Sequence, residues 1–390
     1  MALLDGLRIV DLTNVIMGPF ASRILADLGA DVIKVEAPGG DSTRAYHPHL
    51  APGLSGMFLN LNRNKRSVVL DLKAPAGRTA MERLLAGADV FMHNLRAPVM
   101  ERLGFGYERC RALKPDIVYC AAYGFGAAGP YAAKAAYDDM IQAGSGYAAL
   151  AEPVSGAPGY APAVLCDKIV GQAMANAVLA GLVHRMRTGK GQAIEVPMLE
   201  VTIDFNLVEQ FGAAAFAPPR GEPGYGRIRS KERRPFATAD GYACILPYSD
   251  RNWRDFFAFA GRQDLLADPR FATIRTRQDH FDELYAQVAV EAPKRATAEW
   301  VAFCDGADIP CMPVTRLADV FDDPHVRAVE LFSVVEHPVG GNYRAVRRPV
   351  NYGAAPFELR RHAPALGEHT EEVLAELGLP SLVSQGGDAS

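Results

Sequence analysis

The opening of the chain constrains its fold more than any other segment. Residues 7–12 (LRIVDL) and 32–35 (VIKV) are short apolar runs rich in β-branched residues. They flank a segment with the apolar spacing of a helix, from about Gly18 to Leu28. This strand–helix–strand pattern predicts a parallel sheet. Its first turn, DLTNVIMGP, lacks the G-x-G-x-x-G pattern of dinucleotide sites, so we expect a different ligand.

The alternation of strands and helices continues along the chain and predicts a mostly parallel sheet covered by helices. Pro, Gly and Arg dominate residues 217–235, which indicates a domain boundary. We expect Thr370 to cap the last helix and residues 381–390 to form a loose tail. The other predicted elements are strands at 67–71, 89–93, 117–121, 192–196 and 242–246, and helices at 75–86, 99–103, 107–113, 138–146, 167–187, 199–211 and from about 252.

Composition excludes several classes of function. The 390 residues are 49% hydrophobic and 22% charged, the ordinary range for a globular chain long enough for two domains. A net charge of −4 argues against nonspecific binding to nucleic acid or to a membrane surface. We expect no signal peptide and no membrane span. The six cysteines form no C-x-x-C pair, which predicts reduced thiols in the cytoplasm and no metal site.

An ordered set of motifs between residues 7 and 373 resembles the class III CoA-transferases. This family includes formyl-CoA transferase and carnitine CoA-transferase, and alpha-methylacyl-CoA racemase is a sister with the same fold. Each motif alone is weak, but the set in this order is specific. The motifs are GLRIVDLT, GPFASRILADLGADVIKVE, NRNKRSVVLDLK, HNLRAPVMERLG, GFGAAGPYA, YDDMIQAGSG, CDKIVGQAMANAVLAGL, RTGKGQ and PALGEHTEEVL.

The resemblance implies an α/β fold with two domains. A Rossmann-like parallel sheet would lie in a discontinuous large domain, residues 1–220 and 331–390, and residues 221–330 would form a smaller α+β middle domain. The resemblance also implies a homodimer of two interlocked subunits. It implies coenzyme A, as acyl-CoA, and a carboxylic acid as the substrates, with neither a metal nor NAD.

Asp167 matches the position of the catalytic aspartate in these transferases. An aspartate with a reference pKa of about 3.9 is ionised at neutral pH and needs no partner base. It can attack an acyl-CoA thioester to give an aspartyl anhydride, which the released thiolate converts to an aspartyl-CoA thioester. From residue type alone, an Asp at a helix start is more often an N-cap. Neighbouring Cys166 is typical of a core residue.

CoA carries a pyrophosphate and a 3′-phosphate, so basic residues are expected to hold it. Residues 63–66 (RNKR) and Arg96 lie next to predicted strand ends, where open α/β sheets bind ligands. Taken singly, each of these charges is also typical of a solvated surface. The resemblance itself implies CoA contacts at Val15, Lys73, Asn94, Leu95 and Arg102.

The candidate substrate-binding residues are Tyr137, Asp138 and Arg233. The first two match active-site positions of the family. Arg233 lies in the basic segment 224–236 (GYGRIRSKERRPF), where some relatives have a glycine-rich loop over the active site. An arginine there, at 229, 233 or 234, could pair with the distal carboxylate of a dicarboxylate such as succinate. The alternative is a solvated interdomain linker.

Three other functions compete with CoA transfer. Racemases of this fold use a histidine and an aspartate, but Tyr137 stands at the histidine position and is a poor base at neutral pH. A nucleotide-dependent oxidoreductase is disfavoured by the missing glycine pattern. A noncatalytic acyl-CoA binder would have no need for Asp167 beside its ligand. Formyl-CoA transferase has His, Gln and Lys where this chain has Asn14, Ile16 and Ala135, so the resemblance does not define the acids.

Overall fold

The computed structural model of the chain describes residues 2–382. The fold consists of two compact units. The first contains the chain up to Ser145, Ala161–Asp204 and the chain from Pro324 onward, and the second contains Gly146–Tyr160 and Phe205–Asp323. The two units differ from the predicted domains in three segments. Residues 146–160 and 205–220 belong to the second unit instead of the large domain, and residues 324–330 belong to the first unit instead of the middle domain. Most of the predicted tail, 381–390, lies outside the described residues, which end at 382.

The strands and helices agree with the predicted ones to within two residues, and several short elements were not predicted. The strands are β1 (Arg8–Leu12), β2 (Asp31–Glu36), β3 (His49–Ala51), β4 (Leu54–Ser55), β5 (Lys65–Val69), β6 (Val90–His93), β7 (Val118–Tyr123), β8 (Gln192–Pro197), β9 (Phe236–Ala237), β10 (Tyr242–Ile245), β11 (Cys311–Pro313), β12 (Phe332–His337) and β13 (Gly341–Val346). The helices are α1 (Met17–Asp27), α2 (Gly56–Asn62), α3 (Pro75–Ala86), α4 (Ala97–Leu103), α5 (Tyr107–Leu113), α6 (Asp138–Gly144), α7 (Glu152–Ser155), α8 (Cys166–Thr188), α9 (Met198–Gln210), α10 (Asp250–Phe259), α11 (Gln263–Leu266), α12 (Ile274–Arg277), α13 (Phe281–Glu291), α14 (Thr297–Gly306), α15 (Pro324–Ala328) and α16 (Thr370–Glu376).

A six-stranded sheet in the order β5-β2-β1-β6-β7-β8 organises the first unit. Every pair of neighbouring strands in it is parallel, so the predicted parallel sheet is confirmed. Its central strands are buried on both faces, which explains their continuous apolar sequences. One face packs on α1 and α8, and the other on α3 and the last helix, α16.

The strand order places a topological switch point between β1 and β6. From β1 the chain proceeds to β2 and then β5 on one side, and afterwards returns to β6 on the other side of β1. The loops that leave β1 and β6 therefore diverge, and a crevice opens between them at the carboxyl edge of the sheet. This edge is where the fold can hold a ligand.

The end of the chain packs differently from the prediction. Helix α16 begins at Thr370 and its N-cap residue is His369. The Thr370 hydroxyl instead accepts a hydrogen bond from the backbone N–H of Val69 at 3.1 Å. The predicted N-cap is therefore wrong, because this hydroxyl bonds to the exposed edge of strand β5. The antiparallel hairpin of β12 and β13 was also missed.

The second unit is an α+β body with its own core. A three-stranded antiparallel sheet in the order β11-β10-β9 packs with the surrounding helices. Its core is unusually aromatic, with Trp253, Phe256 and Trp300 buried together. In the described part of the chain, no helix is both long enough and apolar enough to cross a membrane.

Candidate active site

A cleft of about 320 Å³ opens at the carboxyl edge of the six-stranded sheet. The loops that follow β1 and β6 form two of its walls, as the switch point predicts. The segment 134–137, the first turn of α8, Tyr123 at the end of β7 with the next residue Gly124, and Met198 at the start of α9 complete the lining. The cleft thus gathers residues that are as far apart in sequence as Asn14 and Met198.

The loop after β1 is held in a strained conformation. Val15 has a φ of 69°, in the left-handed region that β-branched residues rarely adopt. The Asn94 side chain binds the loop from the neighbouring strand end, since its Oδ1 accepts from the Asn14 N–H at 2.9 Å and its Nδ2 donates to the Asn14 carbonyl at 2.8 Å. Asn94 therefore fixes the wall of the cleft from the opposite side of the switch point.

A buried ion pair supports the same loop from below. The Lys34 ammonium donates to the Thr13 carbonyl at 2.7 Å and to Asp41 Oδ2 at 2.9 Å, and both charged side chains are fully buried. Asp41 also accepts from the Val15 N–H at 3.3 Å and the Thr43 N–H at 2.9 Å. Burial acts to raise the pKa of Asp41, but the Lys34 charge and the Thr43 hydrogen bonds outweigh it and hold this pKa below its ordinary value.

The basic run at residues 63–66 does not reach the cleft. Arg63 pairs with Asp27 at 2.6 Å, and both side chains are buried. Lys65 contacts Asp11 at 3.3 Å inside the first unit, where burial lowers its pKa to about 8. Arg66 pairs with three acidic side chains at 2.6–2.9 Å. The expectation that this run binds CoA phosphates is wrong, because these charges are already neutralised within the fold.

Asp167 lies in the first turn of α8 and lines the cleft. Its backbone N–H donates to Asp138 Oδ1 at 2.9 Å, and Gln142 Nε2 donates to the other Asp138 oxygen at 2.6 Å. In the described part of the chain, no hydrogen bond satisfies the Asp167 carboxylate itself. The N-cap interpretation therefore fails, since the cap residue is Leu165 and it makes no side-chain cap.

The acidity of Asp167 differs from the value assumed from its residue type. Burial, and next the negative charge of Asp138, raise its pKa from 3.8 to about 7. At neutral pH the group is therefore divided between the ionised and protonated forms. Sequence reasoning could not find this, because it depends on burial and on a carboxylate 29 positions away in the chain.

Close packing of α8 on α1 determines where Asp167 lies. A Cβ placed on Gly171, one turn into α8, would lie 2.6 Å from the Met17 carbonyl and 2.9 Å from the Phe20 ring. Only a glycine permits this approach of the two helices. The contact brings the first turn of α8 beside the loop after β1, so Asp167 and Val15 line the same cleft.

The structure brings five of the nine predicted site residues together. Val15, Asn94, Leu95, Tyr137 and Asp167 line the cleft. Tyr137 is 71% exposed, whereas Asp138 is buried directly behind Asp167. The other three were not brought to the lining: Lys73 and Arg102 are exposed elsewhere on the first unit, and Arg233 is exposed on the second unit.

Two cationic residues line the cleft beside the predicted ones. Arg96 follows Leu95 and donates to the Ala133 carbonyl at 3.1 Å. Lys134 lies over the Tyr131 ring at 3.9 Å. Arg96 was among the basic residues noted next to a strand end, but Lys134 was missed. The only signal for Lys134 was its position next to Ala135, where formyl-CoA transferase has a lysine.

His93 ends β6 directly before the cleft but acts as a structural residue. Its Nδ1 accepts from the Leu95 N–H at 3.3 Å, so Nε2 bears the proton and donates to the Tyr119 hydroxyl at 2.8 Å. Burial lowers the pKa of His93 to about 4, and the ring is neutral at physiological pH. Among the described residues, no group of three or more His, Cys, Asp or Glu side chains is placed to hold a metal ion.

Comparison with known proteins relates this chain to one protein family. Residues 4–370 match the model of CoA-transferase family III. The chain is 34% identical over 383 residues to succinate–glutarate CoA-transferase of Agrobacterium fabrum, covering 96% of this chain and 95% of that protein. It is 30% identical over 403 residues to formyl-CoA:oxalate CoA-transferase of Escherichia coli O157:H7, covering 96% and 95% respectively.

Solved structures agree with the family model. A CAIB/BAIF family protein from Brucella suis superposes with a TM-score of 0.82 at 30% identity, covering 96% of this chain and 99% of that one. Rv3272 from Mycobacterium tuberculosis superposes with a TM-score of 0.83 at 31% identity, with the same coverage. The chain therefore belongs to CoA-transferase family III.

Proposed function

We propose that Asp167 is the nucleophile through which this CoA-transferase moves CoA from an acyl-CoA thioester to a carboxylic acid. The family supports transfer between a CoA thioester and an acid. The observation that favours Asp167 is its carboxylate, which lines the cleft and makes no hydrogen bond to the described residues. A carboxylate with both oxygens available can bond to a carbonyl carbon.

The proposed reaction consists of two exchanges and their reversal. An ionised Asp167 oxygen attacks the thioester carbonyl, and the C–S bond breaks to give an aspartyl anhydride and CoA thiolate. The thiolate attacks the Asp167 carbonyl, which releases the donor acid and leaves an aspartyl-CoA thioester. An acceptor carboxylate then attacks this thioester, and the returning thiolate takes the acyl group from the new anhydride. One thioester replaces another, so the cycle needs no external energy source.

The lining of the cleft suggests how CoA is held. We assign Val15, Asn94 and Leu95 to contacts with the thiol-bearing arm, since they form the walls beside Asp167. Arg96 and Lys134 supply the positive charge that CoA phosphates require. Lys73 and Arg102 remain proposed CoA contacts on the basis of the family resemblance.

A dicarboxylate is the proposed acid substrate. Three relatives from Agrobacterium fabrum, mouse and human are named for succinate or succinyl-CoA and glutarate. We propose that Arg233 pairs with the distal carboxylate of such an acid, while Tyr137 contacts the reacting end. Arg233→Ala should then weaken transfer to succinate far more than transfer to butyrate. Equal losses with the two acids would count against this role for Arg233.

Hydroxylamine distinguishes the proposed mechanism from racemisation. After incubation with succinyl-CoA, hydroxylamine should convert activated Asp167 to a hydroxamate, which peptide mass spectrometry locates. Asp167→Asn should give no hydroxamate and should lose at least about a thousandfold in transfer rate. A racemase would instead incorporate solvent deuterium at the alpha carbon of a chiral acyl-CoA without moving CoA. Parent-like transfer by Asp167→Asn would exclude the proposed nucleophile.

We propose that the working enzyme is an interlocked homodimer, as the family resemblance implies. Exposed apolar side chains on the long helices are compatible with self-association, which would bury them. On α8, Met186 is 82% exposed and Val183 is 53% exposed, and on α9, Val208 is 82% exposed. The predicted domain limits, 1–220 with 331–390 and 221–330, also remain a proposal for the domain organisation of the chain.

A further inference from the structure

The second unit has a pocket of its own that the proposed reaction does not use. It measures about 310 Å³, at the lower end of the range of small-molecule sites. Trp253 from α10 and Tyr285 from α13 are both 3% exposed and form its floor. Tyr225 and Tyr248 are 41% and 58% exposed and form its rim. The pocket is therefore concave and lined largely by aromatic side chains.

Arg227 gives this pocket a positive charge. Its Nε donates to the Tyr285 hydroxyl at 2.8 Å, which orients the guanidinium, and its Cζ lies 5.5 Å from the centre of the Tyr248 ring. None of the ion pairs in the described part of the chain includes Arg227, and none of the residues that line the pocket is acidic. Its charge therefore has no carboxylate partner within the described fold.

The other arginine at the pocket does not compete for a ligand. Arg277 is 2% exposed, donates to the Phe271 carbonyl at 2.8 Å and is paired with Asp250. Its charge is neutralised by Asp250, and both of its terminal nitrogens already donate within the fold. Arg227 is thus the cation of this pocket that is available to an anion.

We infer that this pocket binds a small carboxylic acid whose body is a flat apolar ring. A planar guanidinium suits a carboxylate, and the aromatic floor and rim suit a ring that stacks or packs edge-on. A phosphate group is a poorer match, because a single available arginine would face it and the floor and rim of the pocket are aromatic. All residues that line the pocket belong to the second unit, and none of them lines the Asp167 cleft.

The test uses phenylacetate with its uncharged amide, phenylacetamide, as the matched probe. Trp253 lines the pocket, whereas the second tryptophan, Trp300, is fully buried away from it, so ligand binding should change the fluorescence of Trp253. Phenylacetate should bind saturably with a dissociation constant below about 10 mM, and phenylacetamide should bind at least about tenfold more weakly. Calorimetry gives the same constants without a fluorescent reporter.

Three variants decide the role of Arg227. Arg227→Gln should weaken phenylacetate binding at least about tenfold, and Arg227→Lys should give an intermediate loss because it keeps the charge but not the fork. Arg254→Gln, at an exposed position next to Trp253, should bind like the parent. Circular dichroism and a urea midpoint check that each variant is folded.

The outcome does not depend on the proposed nucleophile. Binding is measured without CoA and repeated in Asp167→Asn, which should bind phenylacetate like the parent. Absence of saturable binding, equal binding of acid and amide, or parent-like binding by Arg227→Gln would each overturn the inference. A loss of binding in Asp167→Asn would also overturn it, because the acid would then occupy the other cleft.

Discussion

At the scale of single residues, the central property of the molecule is the environment of Asp167. The residue has no hydrogen bond to its carboxylate within the described chain, it is partly buried, and Asp138 lies behind it. Burial and then the Asp138 charge raise its pKa to about 7. A nucleophile with this pKa gains reactivity as the pH rises through neutrality, since only the ionised form attacks.

The pH dependence of transfer should report this pKa. We expect kcat/KM to rise with pH and to level off above an apparent pKa of about 7. Asp138→Asn removes the neighbouring negative charge, so the rising limb should move to lower pH. Asp139→Asn is the matched control, since this neighbour is exposed. A flat profile from about pH 5.5 to 8.5 in the parent would contradict the assignment.

The same shift predicts a pH-dependent cost to stability. The pKa of Asp167 is higher in the folded chain, about 7, than its ordinary value of 3.8, so the folded state binds the proton more tightly. The stabilisation is complete below the ordinary value and is lost as the pH rises to about 7. Asp167→Asn removes the charge, and it should raise the free energy of unfolding by on the order of 2 kcal/mol at pH 8.

Urea unfolding at two pH values checks this sign. The advantage of Asp167→Asn over the parent should be small near pH 4.5 and largest near pH 8, where the parent carboxylate is ionised. The control is Asp139→Asn, which should show little difference at either pH. An advantage that grows as the pH falls would show that the sign is wrong.

At the scale of elements, the loop between β1 and α1 depends on a charge pair beneath it. Lys34 on β2 and Asp41 bond to the carbonyl of Thr13 and to the N–H of Val15. The pair is fully buried, and its hydrogen bonds hold Val15 at its strained φ in the wall of the cleft. The loop therefore owes part of its shape to residues that do not line the cleft.

Asp41→Asn should show this dependence. It leaves the Lys34 charge buried without its closest partner, and it should lower the free energy of unfolding by about 2–4 kcal/mol. The affinity for CoA, measured by calorimetry, should fall as well, because the Val15 wall loses its support. Asp31→Asn is the control, since its pairs with Arg8 and Arg66 are about one-third exposed at Asp31 and should be worth no more than about 1 kcal/mol. Equal effects of the two variants would refute the role of Asp41.

At the scale of the whole molecule, each of the two units has a concave site of its own. The first unit has the cleft at the switch point of its sheet, and the second has an aromatic core and its own pocket. Large apolar side chains remain exposed on α8 and α9, and the proposed homodimer would bury them.

Light scattering tests the proposed assembly. The mass in solution should be twice that of the 390-residue chain, and the dimer should persist on dilution because interlocked chains must unfold in part to separate. A protein that elutes with the mass of one chain, while remaining folded and active, would rule out the interlocked dimer.

Much of the fold was predictable from the sequence because its signals are local. Helix α3 begins and ends where Pro75 and Gly87 predicted, α5 has the predicted limits, and the sheet strands agree to within two residues. The family motifs placed Asp167 at the start of α8, and five of the nine candidate residues line one cleft. Local patterns were sufficient for the elements, since each depends on residues within a few positions of one another, whereas the site residues came from the family resemblance.

Only the tertiary structure decided which charges remain available. Sequence treats Arg63, Lys65 and Arg96 alike, yet the fold pairs the first two internally and leaves Arg96 at the cleft. It also raises the pKa of Asp167 and holds Val15 in a left-handed conformation. These properties arise from desolvation and from partners distant in the chain, such as Lys65 and Asp11, 54 positions apart. A charge is recorded in the sequence, but the energy of that charge depends on what surrounds it after folding.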